Sequence, residues 1–145
     1  MKTVLLCLAV AACITVSAAD KPDDATKIQG VWKPVKAEFA GQPWSEAMYK
    51  PITLKIEGAN YEVTVEGAQG PDKGTCALES SSKPKGMTIT GVIGPNQGKT
   101  FPAIYELHGD ALQICYDLSG AKRPAEFKTT AGTKLYLVTY RREKK

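Results

Sequence analysis

The sequence predicts an all-β fold, an eight-stranded antiparallel up-and-down barrel with one short helix after its first strand. Three observations predict it. Apolar and polar residues alternate along short runs, as Tyr61, Val63 and Val65 do against Glu62, Thr64 and Glu66, which gives each run one dry face. Turn chemistry separates the runs: Gly58-Ala59-Asn60, Gly70-Pro71-Asp72, Gly94-Pro95-Asn96-Gln97-Gly98 and Ser119-Gly120. No βαβ unit appears, so sequential strands are antiparallel neighbours, and the meander closes into a barrel or folds as a sandwich.

The clearest element is a hairpin from Lys99 to Leu118. Its first arm, Thr100 to Leu107, carries Phe101, Ile104, Tyr105 and Leu107. Its second arm, Ala111 to Leu118, alternates Leu112, Ile114 and Tyr116 against Gln113, Cys115 and Asp117. The turn between them is His108-Gly109-Asp110, where Gly109 can adopt the positive φ of a short hairpin loop. Pro102 removes a ladder donor, so its strand starts late, bulges or lies at an edge there.

From the N-terminus, residues 1–19 read as a signal peptide: a short basic start at Lys2, an apolar run from Thr3 to Ala12, and small residues at Ser17-Ala18-Ala19. Val10-Ala11-Ala12-Cys13 also resembles the box cut before a lipid-bearing cysteine, which makes lipidation on Cys13 the alternative to ordinary cleavage. Residues 20–27 are expected as a linker, and a short helical turn, Ala25 to Gln29, leads from it into the first strand. Residues 28–142 form the barrel domain and residues 143–145 a basic tail. The first strand, Val31 to Phe39, leads to the turn Ala40-Gly41-Gln42-Pro43. One or two helical turns follow over Trp44 to Lys50, with Ser45 as cap and Pro51 as stop. The remaining strands are Ile52 to Glu57, Tyr61 to Glu66, Thr75 to Glu79, Met87 to Val92, the two hairpin arms, and Lys134 to Arg142.

Nineteen Lys and Arg against 15 Asp and Glu give a formal charge of +4 over 145 residues. The lysines are scattered rather than clustered with aromatics, so the footprint of a nucleic-acid partner is missing. Membrane contact is expected only through a lipidated Cys13. An extracytoplasmic location permits a disulfide, and Cys76 and Cys115 are the pair left in the folded domain once Cys7 departs with the signal.

Catalysis has little to stand on. The single histidine, His108, lies in a hairpin turn with no nucleophile motif pointing to it. One histidine and two distant cysteines fall short of a zinc set, and no metal or cofactor is expected. Glu106, Asp110, Asp117 and Glu126 fall in turns or on outward strand faces, where carboxylates are solvated.

Binding is the stronger class. An eight-stranded barrel can just fill its interior or hold one small ligand. The expected inward residues are Leu54, Ile56, Tyr61, Val63, Val65, Leu78, Met87, Ile89, Leu112, Ile114, Tyr116, Leu135 and Leu137. With so many bulky residues on short strands, a filled core is favoured over a sizeable apolar cavity, and both stay open. The candidate ligand contacts for a small apolar or amphipathic molecule are Tyr61, Val63, Met87, Ile89, Leu112, Ile114, Tyr116 and Arg123. Arg123 either recognises an anionic group or fixes its loop by pairing with Glu126. Trp32 and Arg141 can meet as a clasp where the first and last strands join. The rival reading is an envelope module with a filled barrel whose outer face contacts a protein or polysaccharide.

Gly30-Val31-Trp32 after a helical turn resembles the glycine-x-tryptophan signature of lipocalins and related calycins, and Arg141 is similar to the arginine that covers that tryptophan. A longer set of motifs runs through the chain: Ile28-Gln29-Gly30-Val31-Trp32, Lys83-Pro84-Lys85, Gly94 to Thr100, Ile104 to Leu107 with Gly109 to Leu112, Cys115, and Arg123 to Phe127. In order and spacing it resembles the small exported domain family found in many copies in planctomycete genomes. The resemblance spans Ile28 to Arg141 and implies a lipocalin-like barrel. The chain departs from that pattern at Thr88, where an aspartate is frequent, and at His108 of the hairpin turn, where an acid is usual.

Overall fold

A computed structural model describes residues 23–144, so the signal peptide of residues 1–19, Cys13 and the start of the linker lie outside the described residues. The elements in order are α1 (Asp24–Lys27), β1 (Gly30–Phe39), β2 (Gln42–Pro43), α2 (Glu46–Tyr49), β3 (Ile52–Glu57), β4 (Asn60–Val65), β5 (Asp72–Glu79), β6 (Lys85–Ile93), β7 (Thr100–His108), β8 (Ala111–Asp117) and β9 (Leu135–Arg142). From β3 to β9 each strand pairs antiparallel with the next, and β1 pairs with both β3 and β9. Eight strands therefore close into a barrel, and β2 is a two-residue flap folded back on the end of β1. The short helix expected after the first strand is α2, which follows Ser45 and ends before Pro51. The last residues of the expected linker are α1, which belongs to the fold. Pro102 lies just beyond the β8 ladder, which begins at Ala103, so its missing N–H breaks no bond to that strand.

One end of the barrel is sealed. Trp32 is completely buried and donates from its indole Nε1 to the Ile28 carbonyl at 2.9 Å. An indole removes roughly 200 Å² from water, worth about 5 kcal/mol before entropy is charged against it. The guanidinium lying over the ring, 4.3 Å from its centroid, is that of Arg142. It donates to the carbonyls of Lys27 and Gln29 and to the Asp110 carboxylate, joining α1, β1 and the β7–β8 turn. The expected clasp of Trp32 with Arg141 is thus corrected by one position. Arg141 pairs in register with Lys33 and is exposed, because side chains alternate faces along the strand.

The same one-residue slip corrects the inward set of the last strand. Tyr136, Val138 and Tyr140 stand opposite Tyr116, Ile114 and Leu112 and share their inward face, so Leu135 and Leu137 face out. Those outward leucines are apolar because a strap, residues 119–133, crosses the outer wall there. Arg123 anchors it by donating to the carbonyls of Met87 (3.0 Å) and Ala103 (2.8 Å) and to Thr88 (3.3 Å). Thr129 anchors its far end, donating to Glu38 and accepting from the Gly41 N–H. At the near end Asp117 accepts from Ser119 and from the Lys122 N–H. Burial opposes the charge on Asp117, but these bonds outweigh it and hold its carboxyl below the usual range.

Two further expectations end at this wall. Arg123 is spent on wall carbonyls outside the barrel, with Glu79 rather than Glu126 as its nearest carboxylate at 3.6 Å, so it contacts no interior ligand. Cys76 and Cys115 are free thiols. Cys76 faces the interior from β5, whereas Cys115 faces outward from β8, its Sγ 3.8 Å from the Lys128 carbonyl of the strap. Three strand spacings, roughly 14 Å along the sheet, and the wall itself separate them, beyond the ~7 Å a disulfide spans.

Candidate functional site: a cavity at the open end

The core does not fill the barrel evenly. Beyond the sealed end a cavity of about 530 Å³ opens among the inward side chains of every strand of the barrel. Six of the expected ligand contacts line it: Tyr61, Val63, Met87, Ile89, Ile114 and Tyr116. Leu112 does not, because it lies one layer deeper, opposite Leu107 and almost fully buried. The favoured filled core is corrected accordingly: it holds for the sealed half and fails for the other.

The cavity has two unlike walls. Ile52, Leu54, Ile56, Val63, Met87 and Ile89 make an aliphatic side from β3, β4 and β6. Tyr116, Tyr136 and Tyr140 from β8 and β9 make an aromatic side, with Phe39 and Phe101 beside them. Tyr136 stacks on Tyr116 with ring centroids 5.7 Å apart and tilts against Trp44 at 5.0 Å. The hydroxyls of Tyr116 and Tyr140 are 3.2 Å apart and share a hydrogen bond. Burial drives the phenols of Tyr116 and Tyr136 well above their ordinary range and Tyr140 up to about 12. It likewise lifts the Cys76 thiol to about 12. All four groups are neutral at physiological pH, and the thiol is a poor nucleophile there.

Polar groups gather at the mouth. Asp72, at the start of β5, accepts from the Tyr61 hydroxyl at 3.2 Å and from the Asn96 side-chain amide at 2.8 Å, while the Asn96 N–H donates to its other oxygen at 3.3 Å. These bonds tie the loop Gly94 to Lys99 to the rim. The loop also folds back on Gly91, whose N–H donates to the Lys99 carbonyl at 2.9 Å. A side chain at Gly91 would place its Cβ 1.9 Å from the Asn96 oxygen, so only glycine permits that approach. Lys99 and Lys134 complete the rim, both exposed and both lining the cavity.

Asp72, Asn96, Lys99, Lys134, Tyr136 and Tyr140 were missing from the sequence-derived candidates. Tyr136, Val138 and Tyr140 follow an alternating pattern that could have revealed the last two. The rim residues lie in turns, where alternation carries no signal. His108, set aside as a turn residue, is exposed and 2.7 Å from Glu106 on the far side of the protein from the mouth. Among the described residues no group of three or more His, Cys, Asp or Glu is placed to hold a metal. No family model, curated protein or solved structure matches the chain in comparison.

Proposed function

We propose that the protein is an exported carrier that binds one small amphipathic molecule inside its barrel. The observation that carries this reading is a hollow of about 530 Å³ in the apolar interior of a barrel sealed at its other end. A volume of that order, concave, mostly apolar and provided with a few polar groups at its entrance, is the usual form of a small-molecule site. The resemblance to the exported, lipocalin-like planctomycete domains points the same way, and the apolar N-terminal run supports delivery outside the cytoplasm. The reading is non-catalytic: burial holds the phenols of Tyr116, Tyr136 and Tyr140 and the Cys76 thiol neutral, and among the described residues none of these four is hydrogen-bonded to a carboxylate or imidazole.

Titration with N-phenyl-1-naphthylamine, a neutral dye that fluoresces in apolar surroundings, tests it. The wild-type protein is expected to bind the dye saturably, and Val63→Trp, which fills part of the hollow, is expected to abolish binding while keeping the circular dichroism spectrum. Identical titrations of the two proteins, or no binding by either, would overturn the carrier and favour a module working through its outer surface.

A further inference from the structure

We infer that the ligand is a single-headed organic anion with a flat, ring-bearing body, its head group held at the mouth by Lys99 and Lys134 and its body lying against the tyrosine wall. The inference rests on the carrier reading and adds the chemical class.

The head-group site follows from charge at the rim. Lys50, Lys55, Lys73 and Lys85 each pair with a carboxylate at 2.5 to 3.3 Å. Lys99 and Lys134 have no such partner among the described residues, although both border the cavity. The one acid at the rim, Asp72, is already held by Tyr61 and Asn96. A ligand entering the cavity therefore meets two ammonium groups against one carboxylate, a net positive rim.

The two lysines are also fixed at the backbone. Lys99 donates its N–H to the Asn96 carbonyl at 3.0 Å and accepts from Gly91, and the Lys134 carbonyl accepts from the Leu118 N–H at 2.9 Å. Lys99 immediately precedes β7, Leu118 follows β8 and Lys134 immediately precedes β9, so the two lysines are about two strand spacings apart, roughly 10 Å. Two lysine side chains of roughly 6 Å reach each can converge on one carboxylate, sulfonate or phosphate across that gap.

The body's shape follows from the wall beneath. Tyr116, Tyr136 and Tyr140, with Phe39 and Phe101 beside them, make that wall of the cavity aromatic, a surface that suits a ring-bearing body better than a flexible chain. Farther in, the polar groups of the lining are the hydroxyls of Tyr116 and Tyr140, which share a hydrogen bond, that of Tyr136 and the Cys76 thiol, and among the described residues no cationic side chain is there to hold an anion at depth. The charge of the ligand consequently stays at the mouth.

The test compares two dyes with one ring system. 1-Anilinonaphthalene-8-sulfonate is N-phenyl-1-naphthylamine with a sulfonate added, so the pair isolates the head group. The double variant Lys99→Gln/Lys134→Gln is expected to bind the sulfonate about tenfold more weakly than wild type at low salt, with each single change costing about threefold. The neutral dye is expected to change less than about twofold. Salt at about 0.5 M should erase most of the wild type's advantage, since the screening length then falls below ~5 Å. Val63→Trp must abolish both dyes, which shows that the sulfonate is read in the cavity and not on the surface. If the double variant binds both dyes as wild type does, the head-group site is wrong and the carrier stands. If wild type binds neither dye, the carrier reading falls and takes this inference with it.

Discussion

At the sealed end of the barrel one arginine donates to two carbonyls and a carboxylate while covering an indole; at the mouth two lysines border an apolar hollow without a carboxylate partner among the described residues. Both ends are built from the same strands, with basic residues drawn from the same chain. The difference lies in what the cations do for the fold. Arg142 satisfies the carbonyls left open where α1 ends and β1 begins, so its charge is part of the closure. The side chains of Lys99 and Lys134 pair with no carboxylate among the described residues, so their charge remains for something that arrives. Comparing the ends thus separates residues that make the barrel from residues that use it.

The largest test sets the aromatic anchors against each other. Trp32→Ala is expected to cost about 3–5 kcal/mol in urea unfolding, because it empties a fully buried site that its neighbours cannot close. Tyr136→Ala, beside a hollow that already exists, is expected to cost about 1–2 kcal/mol, chiefly its ring contacts with Trp44 and Tyr116. It should weaken dye binding more than it weakens the fold. Equal losses of stability would mean that the mouth is as structural as the seal, and the division would fail.

A sharper version uses neighbouring arginines. Arg142→Met is expected to cost about 2 kcal/mol through its lost charge-assisted bonds and its contact with Trp32. Arg141→Met, on the exposed outer face, should change stability by less than ~0.5 kcal/mol. Thermal unfolding of the two variants side by side decides it, and a reversed order would restore the clasp to Arg141.

These two residues also show how far the sequence could be read. Strands with a polar outer face, such as β3 and β4, came out in phase, and with them Leu54, Ile56, Tyr61 and Val63 on the inside. Along β9 the run Leu135-Tyr136-Leu137-Val138 is apolar on both faces because the strap covers the outer one, and the phase is marked only farther on, by Thr139 and Arg141 against Val138 and Tyr140. A slip of one residue there moved the clasp to Arg141 and placed two leucines inside. The strap itself was invisible as a covering element: its anchors, Arg123 and Thr129, bind partners 20 to 91 residues away. Inward bulk was legible, but how it was shared between a packed half and a hollow one was not. That division depends on register across the closed sheet, which sets the layer of each side chain.

The smallest effect concerns the carboxylate in the plug. Asp24 accepts from Tyr105 and Lys85, both at 2.7 Å, fastening α1 across the sealed end. Burial opposes its charge, yet the two hydrogen bonds outweigh that cost and hold its carboxyl below the usual range. A folded-state value lowered in this way contributes stability that is fully present above the ordinary aspartate value of about 3.9 and is lost as pH falls through the folded value. Asp24→Asn is therefore expected to cost about 1 kcal/mol at pH 7, with the gap from wild type narrowing toward pH 3, below the ordinary aspartate value, as the unfolded chain takes up a proton that the folded carboxylate resists. Urea unfolding at the two pH values measures it, and a gap of constant size would remove the charge from the account. N-Phenyl-1-naphthylamine affinity at pH 7 should stay within about twofold of wild type, because the plug is at the far end from the mouth. A large loss of dye binding would show that the two ends act as one unit, with the plug setting the shape of the hollow.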